Sequence, residues 1–198
     1  MKADFSRMTF DEKKHYSSVL YQQGRVLTDA DFNEAQAIHQ HRDTTTARAV
    51  IGPAGTPKYD EIDGQPLPNG GFELAIDANG DLAIGPGHYY VDGILCENEA
   101  AVAYSQQPAL PEPEPILASL EAAGATVGLV YFDVFERERT ALDRPELREG
   151  VLGGPDTTAR AEVVWQVKVL PVPSIALADA AMAGLSARVD AVRDLRQM

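Results

Sequence analysis

The sequence predicts an α+β fold: a mainly antiparallel β-sheet or small barrel, with a helix over about 29–51 and an amphipathic helix over about 174–196. Three observations predict it. A stretch free of Gly and Pro runs from Asp29 to Ile51. Short β-type runs separated by Asn-Gly and Asp-Gly pairs fill residues 72–104. A wide apolar stripe follows the prolines at 171 and 173. Helix-period and strand-period segments that are grouped rather than alternating favour α+β over a parallel α/β sheet.

Residues 1–28 carry Phe5, Phe10, Tyr16, Val19, Leu20, Tyr21 and Val26 with neither a 3.6 nor a 2.0 period, and read as an irregular arm. Thr28 is placed to cap the helix that follows, Asp29 and Asp31 suit the positive end of its dipole, and Gly52-Pro53 stops it. Its apolar positions, Phe32, Ala35, Ile38, Ala49 and Val50, make a narrow face interrupted by Arg42 and flanking threonines. Such a helix leaves much of its surface to water or to another protein.

Residues 52–71 are rich in Gly, Pro and Asp and read as a long loop. Strands are expected at 72–76 and 81–84, around Asp77-Ala78-Asn79-Gly80, whose Asn-Gly pair favours a primed turn. A second hairpin is expected from His88–Val91 and Ile94–Glu97 around Asp92-Gly93, with the meander continuing through 101–104. The four prolines of residues 108–115 exclude a central strand and mark a linker or an exposed loop. A short helix over 116–123 then leads to an apolar strand over 127–136, whose partner is expected at 162–170. A polar excursion with a helical turn near Leu147 lies between them. Leu177, Ala178, Ala181, Met182, Leu185, Val189 and Val192 form the stripe of the last helix, which must pack on its own sheet or on a partner. The organisation read from this is an arm (1–28), one α+β domain (29–170) and a C-terminal helix (171–198).

Composition narrows the function classes. Thirty acidic against seventeen basic side chains give a net charge of −13, which repels a phosphate backbone, so nucleic acid is not an expected partner. No apolar run reaches eighteen residues and the first sixteen residues contain no apolar leader core, so membrane insertion and secretion are not expected and assembly is placed in the cytoplasm. The single cysteine, Cys96, sits in an apolar run and reads as a buried, inert thiol.

Chemical motifs are few. Asp77-x-Asn79-Gly80-Asp81 resembles the start of a calcium loop, but His88 stands where a bidentate glutamate is needed, so a turn is expected. His39 and His41 are two residues apart on a helix and diverge, which does not make a metal pair. His15 and His88 each adjoin a tyrosine without a defined third ligand. Asp133, Glu136 and Glu138 are the carboxylates of a conceivable hydrolase, yet strand alternation turns Asp133 away from the other two, and Arg137 and Arg139 compensate them. No catalytic residue, metal ligand or cofactor is assigned.

One set of separated blocks stands above this background. Asp4-Phe5-Ser6-Arg7, Thr9-Phe10-Asp11, His15-Tyr16-Ser17, Gln22-Gln23-Gly24-Arg25-Val26 and Asp29-Ala30-Asp31-Phe32-Asn33-Glu34 come first. They are followed by Ile51-Gly52-Pro53, the run from Gly87 to Glu97, the run from Val130 to Arg137, Leu152-Gly153-Gly154-Pro155-Asp156-Thr157, Arg160, and Val164-Trp165-Gln166-Val167. Together they resemble a bacterial domain family found in contractile injection system and phage-tail-like gene clusters and at the front of right-handed β-helix proteins. The blocks cover most of residues 1–170; Phe32 and Phe135 stand where that family usually has tryptophan. The resemblance implies a non-enzymatic structural subunit or adaptor at a baseplate or other terminal position, with other particle subunits as partners; a homo-oligomer is a separate expectation. Aromatic and arginine side chains dominate interface hot spots, which points to Phe5, Arg7, Phe10, Tyr16 and Arg25 in the arm, joined by Leu185, Val189 and Val192 of the last helix. A glycan- or receptor-binding module is the first alternative, and a carboxylate hydrolase the second.

Overall fold

The computed structural model describes residues 5, 7–57, 60–62, 64–67, 71–111, 113, 116–122, 124 and 127–172. The fold is α+β. It falls into two compact units, one of Met1–Lys58, His88–Glu97 and Phe135–Val164, the other of Tyr59–Gly87, Asn98–Val134 and Trp165–Met198.

In the first unit, helix α1 (Asp29–Ile51) begins and ends where its capping residues dictate. The Thr28 hydroxyl accepts from Asp31 N (3.3 Å) and donates to Asp31 Oδ2 (2.8 Å). At the other end Gly52 takes φ +97° and donates to Arg48 O (2.9 Å). Only Ala30 and Ile38 of this helix are buried. A three-stranded sheet, order β1-β6-β7, uses β1 (Ala54–Gly55), β6 (Gly87–Val91) and β7 (Ile94–Asn98). Asp92 (φ +53°) and Gly93 (φ +81°) link β6 to β7 in the primed two-residue turn that an Asp-Gly pair favours. Alpha-helix and turn are joined tightly here. Arg48 Nη2 reaches Asp92 Oδ2 at 2.7 Å, and a Cβ on Gly93 would stand 2.2 Å from Thr44 O. Cys96 is wholly buried, and burial pushes its thiol up to about 12.

In the second unit, β2 (Asp60–Ile62) pairs antiparallel with β3 (Gln65–Leu67). With β1 this places strands inside the stretch read as a long loop. Both ladders are short and depend on partners that local composition does not reveal. A sheet of order β4-β5-β8 contains β4 (Leu74–Ile76), β5 (Leu82–Ile84) and β8 (Val102–Ala103). Its first hairpin differs from the primed turn expected. Asn79 is not among the residues with positive φ, while Gly80 is at +75° and donates to Asp77 O (3.1 Å). That is a three-residue loop closed by a left-handed glycine. Asp77 Oδ1 selects it by accepting from Asn79 N (2.8 Å) and Asp81 N (2.9 Å).

Asp81 is buried and acts as a hub. Its Oδ2 accepts from Ser105 Oγ (2.6 Å) and Ser105 N (3.1 Å), and its Oδ1 from Leu82 N (2.9 Å) and Ile116 N (3.2 Å). Desolvation raises its carboxyl pKa, but these hydrogen bonds outweigh it and hold the group below its ordinary value. Ile116 opens helix α2 (Ile116–Ala122), so one carboxylate ties a strand start, the 3-10 turn Tyr104–Gln106 and a helix start together. Phe72 packs edge-on against Phe132 (5.2 Å between ring centroids) and Trp165 (5.1 Å).

Strands β9 (Val127–Arg139) and β10 (Arg160–Val172) pair with each other, and the boundary between the units falls inside both. Among the described residues the strands form open ladders of two or three and no closed barrel. The β10 edge shows why closure stops there. The Gln107 side chain occupies both backbone groups of Val167, Tyr104 meets the Val169 backbone, and Pro171 has no N–H to offer. The C-terminal helix expected over 174–196, with Leu185, Val189 and Val192, lies outside the described residues.

Candidate docking surface

The arm has defined geometry without regular structure. Asp11 caps a 3-10 turn, Glu12–Lys14, by accepting from Lys13 N (3.0 Å), and His15 closes it in the left-handed region at φ +55°. A second turn runs from Gln22 to Arg25, whose N–H donates to Gln22 O (3.3 Å), with Gly24 at φ +69°. Side chains strap the arm to α1. The Thr9 hydroxyl donates to Glu34, and Phe10 packs on His41 with ring centroids 5.6 Å apart. Glu34 and His41 are two helical turns apart and so share a face. Tyr21 meets Phe32, roughly opposite that face, at 5.4 Å.

This leaves the rest of the arm facing outward. Tyr16 is 58% exposed, Leu20 84% and Val26 87%, with Tyr21 and Leu27 also exposed. Arg7, Lys13, Lys14 and Arg25 are exposed among them. Scattered exposed apolar residues are ordinary, but this many within a dozen positions make the arm a candidate docking surface. Of the arm residues singled out in the sequence, Phe5 borders a hollow of about 480 Å³ with Phe32, Asn33, Thr140 and Arg160. Phe10 faces His41, while Arg7, Tyr16 and Arg25 point outward. Leu20, Val26, Lys13 and Lys14 were not singled out. The available signal was the missing periodicity, because an apolar residue outside any helix or strand pattern has no face on which to be buried.

The same unit carries a second exposed patch on the loop between β9 and β10. Leu142, Val151 and Leu152 are exposed there, interleaved with exposed Asp143, Glu146, Glu149 and Asp156. Its frame is held by the Arg148–Asp156 bridge and by Glu149 O, which accepts from Leu152 N and Gly154 N.

Two of the three carboxylates of the conceivable hydrolase, Asp133 and Glu136, have identified partners, and a side-chain oxygen of the third, Glu138, is buried. Asp133 pairs with Lys168, and Glu136 Oε1 accepts from Gln40 Nε2 at 2.8 Å. Glu162 is hydrogen-bonded by Arg137 and by Arg139 Nε (2.7 Å), with Arg144 at 3.6 Å. The Arg137 hydrogen bond in particular holds its carboxyl below the ordinary value. His88 Nε2 lies 3.6 Å from Glu97. Among the described residues no group of three or more His, Cys, Asp or Glu could hold a metal ion, and no helix is long and apolar enough to cross a membrane. A shallow groove of about 520 Å³ lies along α1 beside the β6–β7 hairpin, lined by Gln36, His39, Asp43, Thr44 and Tyr90 among others.

The model of a family of unknown function, DUF6519, matches residues 1–197. The chain belongs to that family. No curated protein and no solved structure matches it. The DUF6519 match takes in the arm, α1 and the 140–159 loop, so both exposed patches lie within the family's own region rather than in an appendage to it.

Proposed function

We propose that this DUF6519 chain is a structural subunit or adaptor of a phage-tail-like contractile injection particle, docked at the baseplate or another terminal position through protein contacts. One observation carries the reading: an ordered, non-periodic arm strapped to a largely polar helix displays Tyr16, Leu20, Tyr21, Val26 and Leu27 to the outside. A backbone already held by its turns and by the straps to α1 loses less entropy on binding than a free arm would, which suits permanent assembly. The resemblance of the separated sequence blocks to domains of injection-system and tail-like clusters supplies the particle. The engagement of Asp133 by Lys168 and of Glu136 by Gln40 supports a non-enzymatic role.

The experiment is complementation of a particle-producing strain with Leu20→Asp/Val26→Asp. A folded variant absent from purified particles is the expected result. Undiminished incorporation overturns the reading. A second reading, glycan binding, is favoured by the groove that combines Tyr90 with Gln36, His39 and Asp43. A glycan array with the purified chain separates the two.

A further inference from the structure

The arm and the 140–159 loop are complementary in kind. Residues 1–28 carry five Lys/Arg against three Asp/Glu, a net of +2, which leaves −15 for the rest of a chain whose net charge is −13. The arm's two nearest acids are turned to local work: Asp11 caps its own turn and Glu12 faces His41 at 4.0 Å. Among the described residues, Arg7, Lys13, Lys14 and Arg25 are exposed and make no ion pair. Arg7, Lys13 and Lys14 precede Tyr16, Leu20 and Tyr21, and Arg25 precedes Val26, so basic and apolar residues share one short segment. The loop is the reverse. Leu142, Val151 and Leu152 stand among exposed Asp143, Glu146, Glu149 and Asp156. Asp143 accepts from Thr140 N and lies 4.0 Å from Arg139, and Glu149 accepts from Val151 N, yet acids still outnumber the loop's arginines by four to two. Of the loop's two arginines, Arg144 turns to Glu162 (3.6 Å) and Arg148 donates to Gly154 O (3.3 Å).

We infer that the arm of one copy docks on the 140–159 loop of a second copy of this chain. Within one copy Phe5 of the arm shares a hollow with Thr140 and Asp156 of the loop. Lys13, Lys14, Tyr16, Leu20 and Val26 on one side and Leu142, Glu146 and Val151 on the other nevertheless stay exposed, and each set presents the charge that the other lacks. Copies that dock in one direction leave one arm and one loop free and close into a ring or extend along an axis, whereas two copies that exchange arms reciprocally stop at two. The inference rests on the docking role proposed above and names the partner.

The test is light scattering on the purified full chain at 100 µM, in low and in high salt. Association into dimers or larger assemblies at low salt, reversed by salt, is expected, because exposed charge pairs are screened within about 10 Å at 0.1 M ionic strength. Lys13→Glu/Lys14→Glu/Arg25→Glu and Glu146→Lys/Glu149→Lys/Asp156→Lys each weaken it at least tenfold. Mixing the two variants, or placing all six changes in one chain, restores it. A monomeric wild type at low salt, single-patch variants that still associate, or mixtures that stay monomeric overturn the inference. If the wild type is monomeric yet Lys13, Lys14 and Arg25 are still needed to join particles, the partner is a different acidic subunit, and the particle reading survives without the second copy.

Discussion

The side-chain amide of Gln107 closes on both backbone groups of Val167: Val167 N donates to Gln107 Oε1 at 2.7 Å, and Gln107 Nε2 donates to Val167 O at 3.0 Å. One side chain thereby does what a neighbouring strand would do, at a position where both residues are buried. Gln107→Ala leaves a buried donor and a buried acceptor unpaired, and should cost about 3 kcal/mol. Urea unfolding measures it. A loss under about 0.5 kcal/mol would mean that water completes the edge equally well.

Two glycines with similar backbone angles should respond differently to alanine. Gly93 (φ +81°) meets Thr44 O at 2.2 Å from an added Cβ, whereas Gly24 (φ +69°) has nothing within 4 Å. Both changes carry the left-handed strain of about 1–2 kcal/mol. Gly93→Ala also prises α1 from the turn, and its total should exceed about 3 kcal/mol. Equal melting temperatures for the two variants would show that α1 yields without cost.

The hub at Asp81 predicts acid sensitivity. Its pKa in the folded chain lies below 3.8, so its contribution is fully present above that value and is lost as pH falls through the lower, folded one. Stability should therefore drop on acidification below about pH 4, where protonation begins to compete with the four hydrogen bonds. Asp81→Asn should be less stable at neutral pH and show a shallower acid limb. An unchanged pH profile in that variant would place the sensitivity elsewhere.

Cys96 should resist thiol reagents. It is wholly buried with its thiol pushed up to about 12, so almost no thiolate exists at pH 8. Ellman's reagent should label it only after denaturation. Prompt labelling of the native chain would contradict the burial of β7.

Leu20→Ser and Val26→Ser should each change stability by no more than about 0.5 kcal/mol, because both side chains are already in water. Thermal melts that fall by several degrees would show that the arm covers the fold's own core, which removes the surface on which docking depends.

The bounds of α1 were legible because every signal is local: the cap is Thr28, the stop is Gly52-Pro53, and the two lie at the ends of an uninterrupted run. The Asp92-Gly93 turn was legible for the same reason. Asp77–Gly80 was read as a turn of the wrong type, because the deciding contacts run from Asp77 Oδ1 to two later amides, and the Asn-Gly pair alone does not encode them. The arm was recognisable as irregular, but which of its residues face outward depends on where Thr9, Phe10 and Tyr21 grip α1.

What the sequence by itself determined is the fold class, the caps and breakers, the acidic balance and the scarcity of reactive groups, all of which follow from neighbouring residues and composition. Tertiary structure alone decided that Gln107 would meet Val167 sixty positions away, that Asp81 would join three elements, and that basic and acidic apolar patches would both stay uncovered. Local signals fix dihedral preferences within a few residues, whereas partners distant in the chain are selected by burial and hydrogen-bond satisfaction when the chain closes on itself.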